Sequence, residues 1–162
     1  MGEEKEELTH KTLLEALLYN PESGEFIWRY YRPLSHFKTP AANKIYLSRF
    51  AGKRAGHDYH MRGANLTYVQ IRLNGVLYLA HRLAWFYVHK VWPSALVDHK
   101  DGVGTNNRLE NLREVGYAEN GRNCKLSSNN TSGVNGVYWN KANRNWVAEG
   151  HYTEGGVNKK VS

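Results

Sequence analysis

The strongest folding signal in the sequence is a pair of alternating segments, residues 66–73 and 76–79, joined by Asn74 and Gly75. Alternation of apolar and polar side chains is typical of β-strands, and an Asn-Gly pair readily adopts the positive φ angles of a type I′ turn. The segment therefore predicts a β-hairpin. A helix is expected directly after it, at about residues 80–90, because apolar side chains recur there at helical spacing.

The rest of the chain also has the pattern of a mixed, α+β protein. An amphipathic helix is predicted at residues 8–19 and a strand at 25–31, whereas residues 32–56 hold two prolines and two glycines and are expected to be irregular. The further predicted elements are a strand at about 95–99, a loop at 100–111, a strand at 112–115, a helix at about 117–125, a linker at 127–133 and three strands at 136–140, 146–152 and 157–162.

Composition limits the class of protein. The 22 Lys and Arg residues outnumber the 15 Asp and Glu residues, which gives a formal charge of +7 at pH 7. The acidic N-terminus is unlike a secretory or transit signal, and no apolar run approaches the roughly 20 residues of a membrane span. A single cysteine, Cys124, excludes an internal disulfide framework and a multi-cysteine zinc ribbon. We therefore expect a soluble intracellular protein whose leading partner is a polyanion.

The residues with the clearest chemical meaning lie between positions 97 and 123. Asp98 and His99 adjoin at the end of an apolar strand, Asn111 follows His99 by 12 residues, and Asn120 follows Asn111 by nine. A carboxylate and an amide oxygen suit Mg²⁺, and a histidine can take a proton from water near neutral pH. A buried asparagine can fix a loop through backbone hydrogen bonds. This combination of groups suits the hydrolysis of a phosphodiester.

These residues resemble the HNH endonuclease family, in particular the phage and intron-encoded homing endonucleases with a ββα-metal (His-Me finger) fold. The matching segments read Val-Asp-His-Lys-Asp-Gly at residues 97–102, Asn-Asn-Arg-Leu-Glu-Asn-Leu at 106–112 and Glu-Asn-Gly-Arg-Asn at 119–123. The resemblance implies a ββα-metal nuclease core over residues 66–126. It implies an N-terminal helix and basic DNA-contacting region over residues 1–65, and a linker with a small β-rich tail over residues 127–162.

The same resemblance implies a role for each matching residue. His99 is similar to the general base that activates water, and Asn111 to the residue that holds the loop carrying this histidine. Asp98 and Asn120 are similar to the ligands of one divalent cation, Mg²⁺ or Mn²⁺. Many family members have His where this chain has Asn120, so the chain is an H-N-N variant, and an amide is a poorer zinc ligand than imidazole.

The function that follows from the resemblance is a metal-dependent DNA endonuclease. It would hydrolyse phosphodiester bonds in double-stranded DNA, by nicking or by double-strand cleavage, as a monomer or a homodimer. A phage protein of this kind acts in the cytoplasm of its bacterial host and needs no membrane.

Two regions are candidates for DNA contact. Residues 28–72 contain nine Lys or Arg and one acid, interleaved with aromatic residues, and form either a solvated basic surface or a face that follows phosphates. Residues 130–148 are similar to the opening strands of the plant ethylene-response-factor type DNA-binding domain, which implies a partial module whose strands enter the major groove. The candidate DNA-binding residues are Arg29, Arg32, Lys53, Arg54, Arg62, Arg72, Arg122, Lys141, Arg144 and Trp146.

Other interpretations remain open at this point. A DNA-binding regulator or adaptor would carry an idle nuclease motif, and an RNA- or repair-type nuclease would use the same fold. A structural or capping role is the alternative to a ligand role for His81, and loop formation is the alternative to catalysis for Asn106 and Asn107. The catalytic interpretation also requires the imidazole of His99 to face the metal site rather than the interior.

Overall fold

A computed structural model describes residues 8–61, 66–116, 129–154 and 157–161. These fall into two compact units, one within Met1–Gly116 and one within Tyr117–Ser162, which we call the N-terminal and C-terminal units. Both helices and strands are present, which is consistent with an α+β fold. None of the helices in the described part of the chain is long and apolar enough to cross a membrane.

The N-terminal unit consists of short elements arranged in small antiparallel sheets. β1 pairs with β2, β4 lies between β3 and β5, and β6 pairs with β7. The elements in chain order are α1 (His10–Ala16), β1 (Leu17–Tyr19), β2 (Phe26–Trp28), α2 (Pro40–Arg49), β3 (His57–His60), β4 (Thr67–Leu73), β5 (Val76–Leu79), α3 (Ala80–His89), β6 (Leu96–His99) and β7 (Leu112–Val115), with 3₁₀ turns at Leu34–His36 and Leu109–Asn111.

The structure confirms the hairpin and the helix that follows it. β4 and β5 pair with Leu73 opposite Val76, and Asn74 and Gly75 between them have φ angles of 49° and 80°. Positive φ at both central residues is the geometry that an Asn-Gly pair tolerates. α3 then begins without a connecting loop and ends at His89, and its C-cap residue Lys90 has a left-handed φ of 64°. The strands predicted at about 95–99 and at 112–115 are confirmed as well.

Two predictions about the first 60 residues are wrong in detail. Residues 32–56 are not irregular, because α2 occupies ten of them. The Thr39 side chain accepts a hydrogen bond from the Ala42 N–H, and Pro40 is the first helical residue, where its missing N–H is no loss. The helix predicted over residues 8–19 ends at Ala16, after which the chain becomes extended and pairs with β2. The helix predicted at about 117–125 lies outside the described residues.

The apolar core of the N-terminal unit is formed by side chains from the β4–β5 hairpin, α1, α3 and the β6–β7 ribbon, among other elements. Its fully buried large side chains come from α1, β1, β4 and α3, and each contributes on the order of 1.5–3 kcal/mol through burial. Val97 of β6 and Leu112 of β7 belong to the same apolar cluster. The ribbon that carries the candidate site is therefore anchored to the core. The fully buried set is Leu13, Leu17, Ile71, Leu73 and Leu83.

The C-terminal unit contains two antiparallel strand pairs in its described part. β8 (Val137–Asn140) pairs with β9 (Asn145–Ala148), and β10 (Gly150–Glu154) pairs with β11 (Val157–Val161). The sequence predicted three strands here, and the one expected at 146–152 is divided between β9 and β10. Trp139 lies opposite Trp146 across the first pair, with ring centroids 5.4 Å apart.

Candidate active site

The candidate site is built on the β6–β7 ribbon and the loop between its strands. Asp98 and His99 are the last two residues of β6, and they face Arg113 and Leu112 of β7. Successive side chains of a strand point to opposite faces. Accordingly, His99 is buried with Val97 on one face, whereas Asp98 is partly exposed on the other.

Asn111 closes the loop that follows His99. Its Nδ2 donates to Asp101 Oδ1 at 3.0 Å and to the Asn106 carbonyl at 2.8 Å, and its Oδ1 accepts from the Asp101 N–H at 3.1 Å. Its own carbonyl accepts from the Lys100 N–H at 2.9 Å. The side chain is 9% exposed. One carboxamide thus connects both sides of the loop, which suits the loop-holding role that the family resemblance implies.

Asp101 is a second organising residue of this loop, and no role was predicted for it. Its carboxylate accepts hydrogen bonds from the Val103 N–H, from Asn106 Nδ2 and from Asn111 Nδ2 at 2.7–3.0 Å. Burial acts to raise the pKa of Asp101, but these hydrogen bonds outweigh it and hold the pKa below its usual value. The carboxylate therefore stays ionised at neutral pH and stabilises the turn after His99.

His99 is largely enclosed by neighbouring side chains. It is 6% exposed, and its Nε2 lies 3.1 Å from Oδ1 of Asn107. The rings of His81 and Tyr68 lie beside it, with centroids 4.9 and 6.0 Å from its own. Nε2 is thus directed to the interior, so a proton taken from water would go to Nδ1. The buried Asn107 is the contact that sequence reasoning missed, since residue type alone suggested loop formation.

His81 is a neutral histidine packed edge-on against His99. It is 5% exposed, the interplanar angle is 85°, and its Nδ1 is the one buried side-chain nitrogen or oxygen that lacks a hydrogen-bond partner within the described part of the chain. Burial lowers the pKa of His81 to about 3, and the nearby His99 and Arg82 act in the same direction. A charged ring is strongly disfavoured there, which supports a structural role.

We expect acid to destabilise the protein through His81. In the unfolded chain this residue takes up a proton at a pKa of roughly 6.5, whereas in the folded protein it resists protonation until about pH 3. The free energy of unfolding is therefore highest above pH 6.5. Between pH 6.5 and about pH 3 it falls as the pH decreases, by about 1.4 kcal/mol per pH unit at most. Urea unfolding across this pH range should show a shallower loss for His81→Phe. Equal losses for the two proteins would contradict the assignment.

The carboxylate of Asp98 forms an ion pair with the side chain of Arg113. Its Oδ2 accepts from Arg113 Nη2 at 2.8 Å and from Nε at 3.2 Å, and the carboxyl side chain is 23% exposed. A metal ion at Asp98 would have to share the carboxylate with Arg113 or replace it. The second predicted ligand, Asn120, lies outside the described residues. A carboxylate with an amide oxygen is nevertheless a donor set that fits Mg²⁺ or Mn²⁺, which commonly take one or two protein ligands and several waters.

Clusters of three or more acidic, His or Cys side chains suited to a metal ion do not occur within residues 8–61, 66–116 and the described tail. The donor set at Asp98 and Asn120 is not such a cluster, because it contains one carboxylate and one amide. The metal ligands therefore remain a prediction from the motif.

Three candidate DNA-binding residues of the N-terminal unit are exposed. Lys53 and Arg54 follow one another between α2 and β3, and Arg54 lies 3.6 Å from Glu25 in an exposed ion pair. Arg72 is on β4 and donates to the Gly75 carbonyl at 3.3 Å. Exposed pairs of this kind contribute little stability, so these cations can turn to a phosphate at low cost.

Arg32 is different, because its guanidinium packs among aromatic rings. The guanidinium carbon is 5.1–5.5 Å from the ring centroids of Trp28, Phe37 and Tyr46, and Nη2 is 3.3 Å from Nδ1 of His36. Burial lowers the pKa of Arg32 from its usual value, although the residue stays charged at neutral pH. Contact with DNA through Arg32 would require it to leave these rings.

Three further candidate DNA-binding residues have a fixed side chain or lie outside the described residues. Arg29 is half-buried, and its Nε donates to the Leu14 carbonyl, which joins the end of β2 to α1. Arg62 and Arg122 lie outside the described residues.

In the C-terminal unit the candidate residues surround the β8–β9 turn. Lys141 and Arg144 are exposed in that turn, and Arg144 has a left-handed φ of 54°. Trp146 is 52% exposed and packs against Trp139, which is 44% exposed. Two large aromatic side chains next to two cations form a surface of the kind that nucleic-acid-binding proteins use.

Comparison with known proteins bears on the class of the central segment. Residues 78–122, from the end of β5 to just beyond Asn120, match the family model of the HNH endonucleases. This match supports an HNH nuclease family and suggests nuclease activity.

A curated relative comes from a phage. Protein 3.8 of Escherichia phage T7 is 42% identical to this chain over 65 residues, which cover 35% of the chain and 54% of the relative. The chain therefore spans about half the length of that relative, whose name states no activity. No solved structure matches this chain.

Proposed function

We propose that this protein is a divalent-metal-dependent HNH endonuclease that hydrolyses phosphodiester bonds in double-stranded DNA. The observation that carries the proposal is the loop after β6, which Asn111 closes through four hydrogen bonds and which starts directly after His99. The match of residues 78–122 to the HNH endonucleases supports it. In this proposal β6, β7 and the helix predicted at 117–125 form the ββα-metal core.

Each site residue has one task in the proposed reaction. His99 accepts a proton from a water molecule through Nδ1, and the water oxygen attacks the phosphorus. Asp98 and Asn120 hold one cation, Mg²⁺ or Mn²⁺, which would neutralise the phosphate and the leaving 3′ oxygen. The bond to that oxygen breaks and the oxygen takes a proton from solvent, so the products carry 5′-phosphate and 3′-hydroxyl ends. Asn111 keeps the histidine loop in place.

DNA contact is proposed at two basic surfaces. Lys53, Arg54 and Arg72 would neutralise phosphates from the N-terminal unit, and the β8–β9 turn with Trp146 would meet DNA in the C-terminal unit. Phosphate contacts make affinity fall steeply with salt but give no sequence choice. One site per chain suits nicking by a monomer, and a homodimer would cut both strands. We place the activity in a phage context, homing-like, in the host cytoplasm.

Plasmid nicking tests the proposal. With Mg²⁺, the purified chain should convert supercoiled DNA to open circles or linear DNA, and EDTA should stop the conversion because the cation is removed. Restoring Mg²⁺ or Mn²⁺ in excess should recover it. Retention of DNA in a gel shift without any cleavage, at all metal concentrations, would contradict the proposal.

A second function, DNA binding with an idle nuclease motif, has one observation in its favour. Asp98 is engaged by Arg113 and His99 is 6% exposed, so neither group stands open to solvent. The nicking assay separates the two functions directly. Preference for single-stranded RNA over duplex DNA in the same assay would instead indicate an RNA nuclease.

A further inference from the structure

Asn107 is the side chain that fixes the ring of His99. It is 2% exposed, and its Oδ1 lies 3.1 Å from His99 Nε2. Its Nδ2 donates to the Thr105 carbonyl at 3.3 Å. Since only the NH₂ end of a carboxamide can donate to a carbonyl, the end that faces His99 is the oxygen. An oxygen accepts a hydrogen bond, so Nε2 of His99 carries the hydrogen.

The backbone of Asn107 is itself held by the start of the chain. The Tyr19 hydroxyl donates to the Asn107 carbonyl at 2.7 Å, and burial raises the pKa of Tyr19, so that it remains a donor. Gly24 lies so close that a Cβ added there would be 2.5 Å from the Asn107 carbonyl carbon and from the Arg108 nitrogen. The Leu109 N–H also donates to the Pro21 carbonyl at 3.0 Å. The position of Asn107 is therefore set from outside its own loop.

Asn107 and Asn111 thus have different tasks. Asn111 bonds to Asp101 and to the Asn106 backbone and determines the shape of the loop. Asn107 bonds to the imidazole itself. Because a neutral histidine carries one ring hydrogen, placing it on Nε2 leaves the lone pair on Nδ1. Which ring nitrogen carries the hydrogen is commonly determined by the partner of the other nitrogen.

We propose that Asn107 is a positioning residue, which holds His99 in the Nε2–H tautomer and so makes Nδ1 the atom that receives the proton from water. This inference rests on the proposed function for its kinetic consequence, but the tautomer can be measured without any reaction. Tyr19 and the turn at Gly24 also help to position His99, because they contact the Asn107 backbone.

The test compares three variants of the full chain. Asn107→Leu keeps a side chain branched at the same atom and removes the acceptor, and Asn107→Asp keeps an acceptor of the same size. Asn106→Leu is the matched control, because it makes the same exchange at the neighbouring residue, which contacts Asp101 and not His99. Melting temperature and DNA retention in a gel shift verify that each variant is folded.

The first readout is the ¹⁵N NMR signature of the His99 ring, assigned by its absence in His99→Ala. Native protein, Asn107→Asp and Asn106→Leu should show hydrogen on Nε2, and Asn107→Leu should show a mixture or hydrogen on Nδ1. An Nδ1–H tautomer in native protein, or an unchanged tautomer in Asn107→Leu, would overturn the inference.

The second readout is steady-state nicking. Asn107→Leu should lower kcat by about 10²-fold or more with KM little changed, within the range by which general-base catalysis contributes. Asn107→Asp should recover most of the rate. A native chain with the Nε2–H tautomer that fails to nick DNA would refute the proposed function and leave the tautomer assignment standing. An active chain whose kcat is unaffected by Asn107→Leu would refute the positioning role.

Discussion

Replacing His99 with Ala is expected to reduce the rate of plasmid nicking by a factor of about 10²–10⁴, the range that a general base contributes. DNA retention in a gel shift should be unchanged, because the buried imidazole is not on either basic surface. The measurement is the initial rate of conversion of supercoiled plasmid at saturating Mg²⁺, compared between native protein and variant.

Two controls separate lost chemistry from lost structure. His89→Ala removes another imidazole from the same unit, at an exposed position beside Trp85, and should leave the rate unchanged. His99→Ala leaves Oδ1 of Asn107 buried without its partner, which costs about 1–3 kcal/mol, so melting temperatures are needed. His99→Gln, which can still donate to that oxygen, should be equally inactive and more stable. If either His99 variant nicked plasmid at the native rate, His99 would not be the general base.

Asp98→Asn is expected to abolish detectable nicking at ordinary Mg²⁺ concentrations while DNA binding persists. The change keeps the size of the side chain but removes the charge that binds a hard cation. Loss of a metal's charge stabilisation is worth several kcal/mol, or about 10²–10³-fold in rate. Stability should change by only about 0–1 kcal/mol, because the pair with Arg113 is partly exposed. Nicking rates measured across a wide range of Mg²⁺ and Mn²⁺ test this.

Arg113→Gln is the informative partner variant. It removes the same ion pair as Asp98→Asn but leaves the carboxylate in place. If Asp98 binds the cation, Arg113→Gln should keep most of the activity and need no more metal than native protein. If Asp98 acts only through its ion pair, the two variants should lose activity alike, and the metal-ligand assignment would be wrong.

Elements with strong local signals could be predicted from the sequence. The Asn74-Gly75 turn and the regular apolar spacing after it are properties of neighbouring residues, and the hairpin and α3 appear where expected. α2 could not be predicted in the same way, because Pro40 indicates either the end of an irregular segment or the first turn of a helix. The Thr39 cap and the packing of Tyr46 among aromatic rings decide in favour of the helix.

The same distinction between local signals and tertiary contacts applies to the candidate site. The loop contacts of Asn111 join residues at most ten or so apart, and motif spacing indicated them. The contacts around His99 depend on tertiary packing. His81, which packs against His99, lies on α3, and Tyr19, which bonds to Asn107, is 88 residues away from it in the chain. The pairing of Asp98 with Arg113 depends on the register of β6 and β7. No pattern within a short stretch of sequence specifies such contacts.

We propose that Asp98 and Asn120 converge on one hard cation beside His99. Anomalous diffraction from crystals of the full chain grown with Mn²⁺ and a DNA duplex would locate such a cation. One Mn²⁺ peak is expected about 2 Å from a carboxylate oxygen of Asp98 and from Oδ1 of Asn120. His99 should not be a ligand. Mn²⁺ bound elsewhere, with Asp98 still held by Arg113 and Asn120 remote from it, would show that the proposed metal site is wrong.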